Sequence, residues 1–301
     1  MTITQKTVHL IGSASGIAAS SAGTADGPLV LKASPYLQAL KDQGLNLEWR
    51  AMLKPASAQG PAAVLDAVLR HNQDLAAIVA DLTKSKEFFT VFGGDHSCAI
   101  GTWSGASSAI KEEGDLGLIW IDAHLDSHTF ATSQTGNIHG MPLASLLGLG
   151  DRSLASIQTP DVKLKPEHVC VIGARSYEQG EVENLKNLNV RIYFMEEVEA
   201  RGLDAVMQEA LTLVKTNTAA FGVTIDIDSI DPREAPGTGV SEPGGLSAAS
   251  LCRALMTIAD DAKLIGTEIV EFDPHLDKEH LTEKLVPRLM AALIAGKLLK
   301  N

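Results

Sequence analysis

The sequence predicts an α/β protein, a single three-layer α/β/α domain over residues 1–301 with a mainly parallel central sheet. Short β-rich runs alternate with helical patterns from one end of the chain to the other, as expected of strands joined by crossover helices. No repeat, low-complexity tract or linker interrupts that alternation. Three of the apolar runs end in side chains of metal-ligand type, and the carboxyl ends of strands are where open α/β sheets bind ligands.

In chain order, the strands are expected at Thr7 to Ile11, Asn46 to Met52, Phe88 to Phe92, Leu116 to Ile121, His168 to Ile172, Arg191 to Phe194, Phe221 to Ile227 and Leu264 to Phe272. Each is a short apolar run rich in β-branched or aromatic residues. Helical spacing places helices at Pro28 to Gln43, Pro61 to Lys86, Cys98 to Glu113, Glu181 to Leu188, Gly202 to Thr216, Ala248 to Asp260 and Glu279 to Leu299. The loop Gly12 to Gly27 is rich in Gly, Ser and Ala, but the spacing of Gly12, Gly16 and Gly23 does not fit GxGxxG. It is expected to be a close-packed loop on the substrate side.

The chemistry centres on Trp120-Ile121-Asp122-Ala123-His124-Leu125-Asp126. If the strand continues through this stretch, alternate residues share a side and Asp122, His124 and Asp126 converge. Gly93-Gly94-Asp95-His96-Ser97 and Thr224-Ile225-Asp226-Ile227-Asp228 end two other runs. Taken singly, these motifs also read as turns, helix caps or polar strand ends, with Asp95 or Ser97 as a cap. Together His96, Asp122, His124, Asp126, Asp226 and Asp228 supply four carboxylates and two imidazoles. Four crowded carboxylates need compensation, and two divalent cations neutralise them in full. Hard oxygen donors with imidazole and no thiolate favour Mn²⁺, while Co²⁺, Ni²⁺ or Zn²⁺ would bind the same set.

A formal charge of -12 argues against nucleic acid or an anionic membrane as partner and suits a small cationic substrate. Cys98, Cys170 and Cys252 are far apart and form no CxxC pair, which points to a reducing cytoplasm. Met1 to Gly12 does not read as a signal peptide, and Arg288 and Lys297 interrupt the apolar C-terminal stretch, which reads as amphipathic rather than membrane-spanning. His9 is expected in the first strand, and His71, His168, His275 and His280 on helix surfaces or in connections. Cys98 stands at a helix start that favours thiolate, against which stands burial as a small apolar residue.

Gly93-Gly94-Asp95-His96-Ser97, Asp122-Ala123-His124-Leu125-Asp126, Gly136-Asn137-Ile138-His139-Gly140 and Asp226-Ile227-Asp228-Ser229-Ile230-Asp231-Pro232 resemble the ureohydrolases, the arginases, agmatinases and their relatives. The likeness runs from Gly23-Thr24-Ala25-Asp26-Gly27-Pro28 to Glu268-Ile269-Val270-Glu271-Phe272-Asp273-Pro274. It implies an arginase-like fold in which His96 and Asp126 hold one Mn²⁺, His124 and Asp228 hold the other, and Asp122 and Asp226 bridge the two. It further implies a bridging hydroxide as nucleophile, a net negative centre that attracts a guanidinium cation, Glu271 as the guanidinium partner and His139 as the proton shuttle.

Within that family, Thr132-Ser133-Gln134-Thr135-Gly136-Asn137 resembles the arginase type, in which Ser133, Thr135 and Asn137 match positions that bind a substrate α-carboxylate. Glu178 stands where an acid contacts the α-amine. His128 replaces an Asn that holds the carboxylate, so it either binds that group or lines the pocket; Val240 replaces a Thr, and Glu242-Pro243-Gly244-Gly245 looks more like agmatinase. The resemblance implies hydrolysis of L-arginine to urea and ornithine, with 4-guanidinobutyrate, agmatine or formiminoglutamate as alternatives. It also implies a homo-oligomer, trimer or hexamer.

Overall fold

A computed structural model of the chain describes residues 7–294. Among them, eight strands form one sheet: β1 (Val8–Ser13), β2 (Leu47–Leu53), β3 (Phe88–Gly93), β4 (Asp115–Ile121), β5 (Val169–Ala174), β6 (Arg191–Phe194), β7 (Thr218–Asp226) and β8 (Leu264–Val270). Their spatial order is β2-β1-β3-β8-β7-β4-β5-β6, and every neighbouring pair is parallel. The interior strands are largely apolar and buried because both faces are covered, whereas the edge strand β2 carries exposed Glu48 and Arg50. In β4, Leu116, Leu118 and Trp120 enter the core on one face and Ile119 and Ile121 the core on the other.

The helices are α1 (Gly27–Ala33), α2 (Pro35–Asp42), α3 (Pro61–Lys84), α4 (Ala99–Ile110), α5 (Pro142–Leu146), α6 (Arg152–Ala155), α7 (Gln179–Asn187), α8 (Met195–Arg201), α9 (Leu203–Lys215), α10 (Ala248–Met256) and α11 (Leu281–Ile294). Residues of α1, α2 and α8 to α11 share one core with the sheet, and those of α3, α4, α5 and α7 share the other. This gives the three layers expected.

Four expectations are corrected. The helix foreseen over Pro28 to Gln43 is two, because Ser34, directly before Pro35, is extended (ψ 129°) and its hydroxyl caps α2 through the Tyr36 amide at 3.3 Å. The last helix starts at Leu281 rather than Glu279, since Glu279 and His280 both take positive φ, 59° and 55°; its foreseen end at Leu299 lies outside the described residues. Helices α5, α6 and α8 were not foreseen, being four to seven residues long and thus too short for a periodic signal. His71 is not on a helix surface but buried inside α3, bonded to Ser13 Oγ at 2.7 Å.

Strand order decides where the site lies. β3, β8, β7 and β4 are consecutive neighbours, and His96, Glu271, Asp226 and Asp122 sit at or just past their carboxyl ends. The long connection after β4 then carries His124, Asp126, His128, Ser133, Thr135, Asn137 and His139 across the same edge.

Candidate metal centre

The strand-alternation argument for Asp122, His124 and Asp126 needs correction, because β4 stops at Ile121 and the three residues lie in the loop beyond it. Convergence is produced by a repeated local device: a carboxylate at a strand end accepts the amide two residues on. Asp95 Oδ1 accepts Ser97 N at 3.1 Å, Asp122 Oδ1 accepts His124 N at 2.7 Å, and Asp226 Oδ1 accepts Asp228 N at 2.9 Å. Asp side chains form such turns readily, which bends the chain while holding each carboxylate in place.

Asp95 is a clamp rather than a ligand, as the cap reading allowed. Its Oδ2 accepts Ser15 Oγ at 2.9 Å and Ala18 N at 3.3 Å, tying the Gly12 to Gly27 loop to the site. Gly94 makes that approach feasible, since a Cβ there would stand 1.9 Å from Ser15 O. Asp126 and Glu271 have φ of 48° and 63°, a left-handed conformation that costs a non-glycine residue about 1–3 kcal/mol. Tertiary bonds hold both: Leu143 N donates to Asp126 O at 2.9 Å, and Glu271 N to Gly94 O at 2.7 Å.

The six ligand-type residues come together. His96 Nδ1 lies 2.9 Å from Asp126 Oδ2, 3.2 Å from Asp226 Oδ2 and 3.3 Å from Asp122 Oδ2. His124 Nδ1 lies 3.0 Å from Asp228 Oδ2 and 3.5 Å from Asp122 Oδ1. Among the described residues three groups are compatible with a cation: His96 with Asp122 and Asp226, His124 with Asp122 and Asp228, and, in the pocket wall, His128 with Glu178 and Glu181; Asp122 belongs to the first two. Behind those two Trp120 Nε1 donates to Asp122 Oδ2 at 2.8 Å and its ring stacks on that of His96, centroids 4.3 Å apart.

The electrostatics call for cations. Burial, then repulsion from Asp228 and Asp122, holds the Asp226 carboxyl well above its usual range; burial and Asp122 push Asp126 up to about 7. Asp228 is likewise raised, chiefly by burial. Burial opposes the charged form of His96, yet Asp122, Asp126 and Asp226 push its imidazole well upward. His96 Nδ1 and Asp126 Oδ2 are buried without a hydrogen-bond partner, an expensive arrangement unless something else satisfies them. A divalent cation does so, and the donor set fits one.

A pocket of about 370 Å³ opens above His124, Asp126, Asp226 and Asp228, while His96 and Asp122 are buried beneath it. Glu271, His139, His128, Ser133, Thr135, Asn137 and Glu178 all line it. Glu271 Oε1 accepts His96 N at 2.7 Å and lies 3.2 Å from His139 Nδ1. Burial disfavours the His139 imidazolium, but Glu271 beside it, with Asp126 and Asp95, brings its pKa up to about 9. His128 has both ring nitrogens engaged, Nε2 with Glu178 and Nδ1 with Thr132 Oγ1 at 3.1 Å.

Sequence reasoning missed Ser20, Tyr177, Glu181 and Glu242 as pocket residues. Glu242 Oε1 stands 3.7 Å from His124 Nε2, and Ser20 Oγ accepts Asn137 Nδ2 at 2.8 Å. Ser20 was within reach, lying in the loop assigned to the substrate side; Glu181 was taken only as a helix start, where it does complete a capping box with Glu178. Cys98 is buried and its thiol pushed well up by burial and Glu268, so it is the small apolar residue of the two readings.

Fold and centre together define a parallel α/β protein with a carboxylate-rich metal-type site at the carboxyl edge of its sheet. The arginase family's sequence profile matches residues 6–296. The chain is 36% identical to the arginase of Brevibacillus brevis over 299 residues, 98% of this chain and 99% of that one. It is 35% identical to the arginase of Bacillus subtilis over 300 residues, with the same shares covered. The native structure of Bacillus caldovelox arginase superposes with a TM-score of 0.90 at 34% identity, covering 97% of this chain and 99% of that one. The chain belongs to the arginase family, whose members are metal-dependent amidinohydrolases.

Proposed function

We propose that this protein hydrolyses the guanidinium group of L-arginine to urea and L-ornithine at a centre of two Mn²⁺ ions. The observation that carries the reading is Asp122, one buried carboxylate shared by two ligand groups directly beneath a pocket whose walls carry Glu271 and His139. His96 and Asp126 would hold one cation, His124 and Asp228 the other, with Asp122 and Asp226 between them. Bound there, two divalent cations offset the four carboxylates and lower the pKa of water enough to furnish hydroxide near neutral pH.

The chain's own residues do the rest. Glu271 accepts from the planar N–H donors of the guanidinium and so orients its carbon over the nucleophile. Addition of the water-derived oxygen to that carbon would form the C–O bond of urea, and the C–N bond to the departing amine would break as the hydroxyl proton and one from His139 pass to the amine, which leaves as an ammonium. His139 suits that transfer: Glu271 beside it favours the imidazolium, and with Nδ1 held by Glu271, Nε2 is the atom that delivers the proton. Ser133, Thr135 and Asn137 would bind the α-carboxylate end and Glu178 the α-amine, with His128, held by Glu178 and Thr132, lining the pocket between them.

The test is urea release from arginine, agmatine, 4-guanidinobutyrate and 3-guanidinopropionate, and formamide release from formiminoglutamate, each with Mn²⁺, Co²⁺, Ni²⁺ and Zn²⁺. Fastest turnover of arginine with Mn²⁺ supports the proposal; turnover of another compound with none of arginine overturns it. Among the described residues no helix is long and apolar enough to cross a membrane. A single domain, a cytoplasmic location, to which three unpaired cysteines are suited, and a homotrimer or hexamer complete the reading. Light scattering tests the last.

A further inference from the structure

The innermost strand of the site, β8, carries a second carboxylate that the reaction does not use. Glu268 is fully buried, three residues before Glu271 on the sheet, and every partner found for it is a neutral donor. Thr102 Oγ1 donates to Oε1 at 2.6 Å, with Cys98 Sγ at 3.5 Å; Trp103 Nε1 and Thr224 Oγ1 reach Oε2 at 3.2 and 2.9 Å. A buried carboxylate is expensive unless donors satisfy it; these four do, and one of them reaches the metal-type site. Thr224 leads there: its Oγ1 also lies 3.1 Å from His96 Nε2.

The directions of these bonds follow from the donors. Trp103 Nε1 has a proton and no lone pair to offer, which fixes Glu268 Oε2 as an acceptor. The single hydroxyl proton of Thr224 is therefore given to Oε2, and the Thr224 oxygen accepts from His96 Nε2–H. With the proton on Nε2, the lone pair of a neutral His96 is on Nδ1, the buried atom that faces Asp122, Asp126 and Asp226 and has no hydrogen-bond partner.

We propose that Glu268, acting through Thr224, is a positioning residue that fixes the His96 tautomer and ring orientation for cation binding. The relay runs Glu268 carboxylate, Thr224 hydroxyl, His96 imidazole, cation; the stacked Trp120 ring adds the orientation about the remaining axis. It rests on the two-cation reading above. Outer-shell partners of this kind change metal affinity about 10- to 100-fold when removed.

The experiment is calorimetric titration of metal-stripped protein with manganese chloride alone, for the parent, Thr224→Val, Thr224→Ser and Glu268→Gln. Valine matches threonine in shape and lacks only the hydroxyl, and serine restores it. The expected result is one binding step weakened about 10- to 100-fold in Thr224→Val and in Glu268→Gln, recovery toward the parent in Thr224→Ser, and an unchanged KM for arginine at saturating manganese. Parent-like affinity in Thr224→Val, or a serine variant as weak as the valine one, overturns the relay. If Glu268→Gln does not fold, the valine and serine pair still decides the matter. A parent that takes up no manganese overturns the metal-centre reading itself and is thus distinguishable.

Discussion

Glu271→Gln separates binding of the cations from handling of the substrate. Glutamine keeps an oxygen to accept His96 N–H and nearly the same shape, so the backbone turn at Glu271 and the ligand cluster below it are retained. What it loses is the negative charge facing the guanidinium and His139, whose Nδ1 is 3.2 Å from Oε1. Hydrogen bonds to charged groups contribute about 1.5–3 kcal/mol each, so two bonds from the guanidinium amount to about 3–6 kcal/mol. At about 1.4 kcal/mol per tenfold, kcat/KM should fall by roughly 10²- to 10⁴-fold. Steady-state urea release gives that ratio, and elemental analysis of the same preparation gives the metal content, expected to match the parent. A variant that loses its metal along with its activity would refute the division between ligand and substrate residues, and one of parental activity would refute the role of Glu271.

Asp122→Ala removes the one carboxylate common to both ligand groups, so it should lower the uptake of both cations where Asp228→Ala chiefly weakens one; metal counting after gel filtration checks this. Stability without metal should depend on pH with a definite sign. Asp126, Asp226 and Asp228 have folded pKa values raised above the unfolded one, so they stabilise the metal-free fold below the ordinary carboxylate range and that contribution is lost as pH rises through the folded values, Asp126 near 7. The rise in melting temperature on adding Mn²⁺ should therefore be larger at about pH 8 than at about pH 5, where protons compete for the ligands; a larger rise at the acid end contradicts it. Gly94→Ala puts a methyl group 1.9 Å from Ser15 O, a backbone atom with little room to yield. The strand end must shift, and overpacking of this kind costs about 1–3 kcal/mol, read as a lower melting temperature together with weakened metal uptake at His96.

The sequence by itself fixed the material of this protein. Apolar runs such as Phe88 to Phe92 are strands because both faces are to be buried, and Asp or His where such a run breaks off marks the functional edge. Those signals are local, which is why all eight strands and the six ligand-type residues were legible. Where local reading failed, the competing forces were also nameable: Pro35 ended a helix that hydrophobic spacing would have continued, and Asx turns rather than strand pleat converge Asp122, His124 and Asp126. Only the tertiary structure decided that β8 inserts between β3 and β7. That placement brings Glu271 to the His96 amide across 175 residues of chain and Glu268 to Thr224 behind the same imidazole. Neighbour order in a sheet is set by the joint packing of all its crossover helices rather than by any one segment, so no single stretch of sequence contains it.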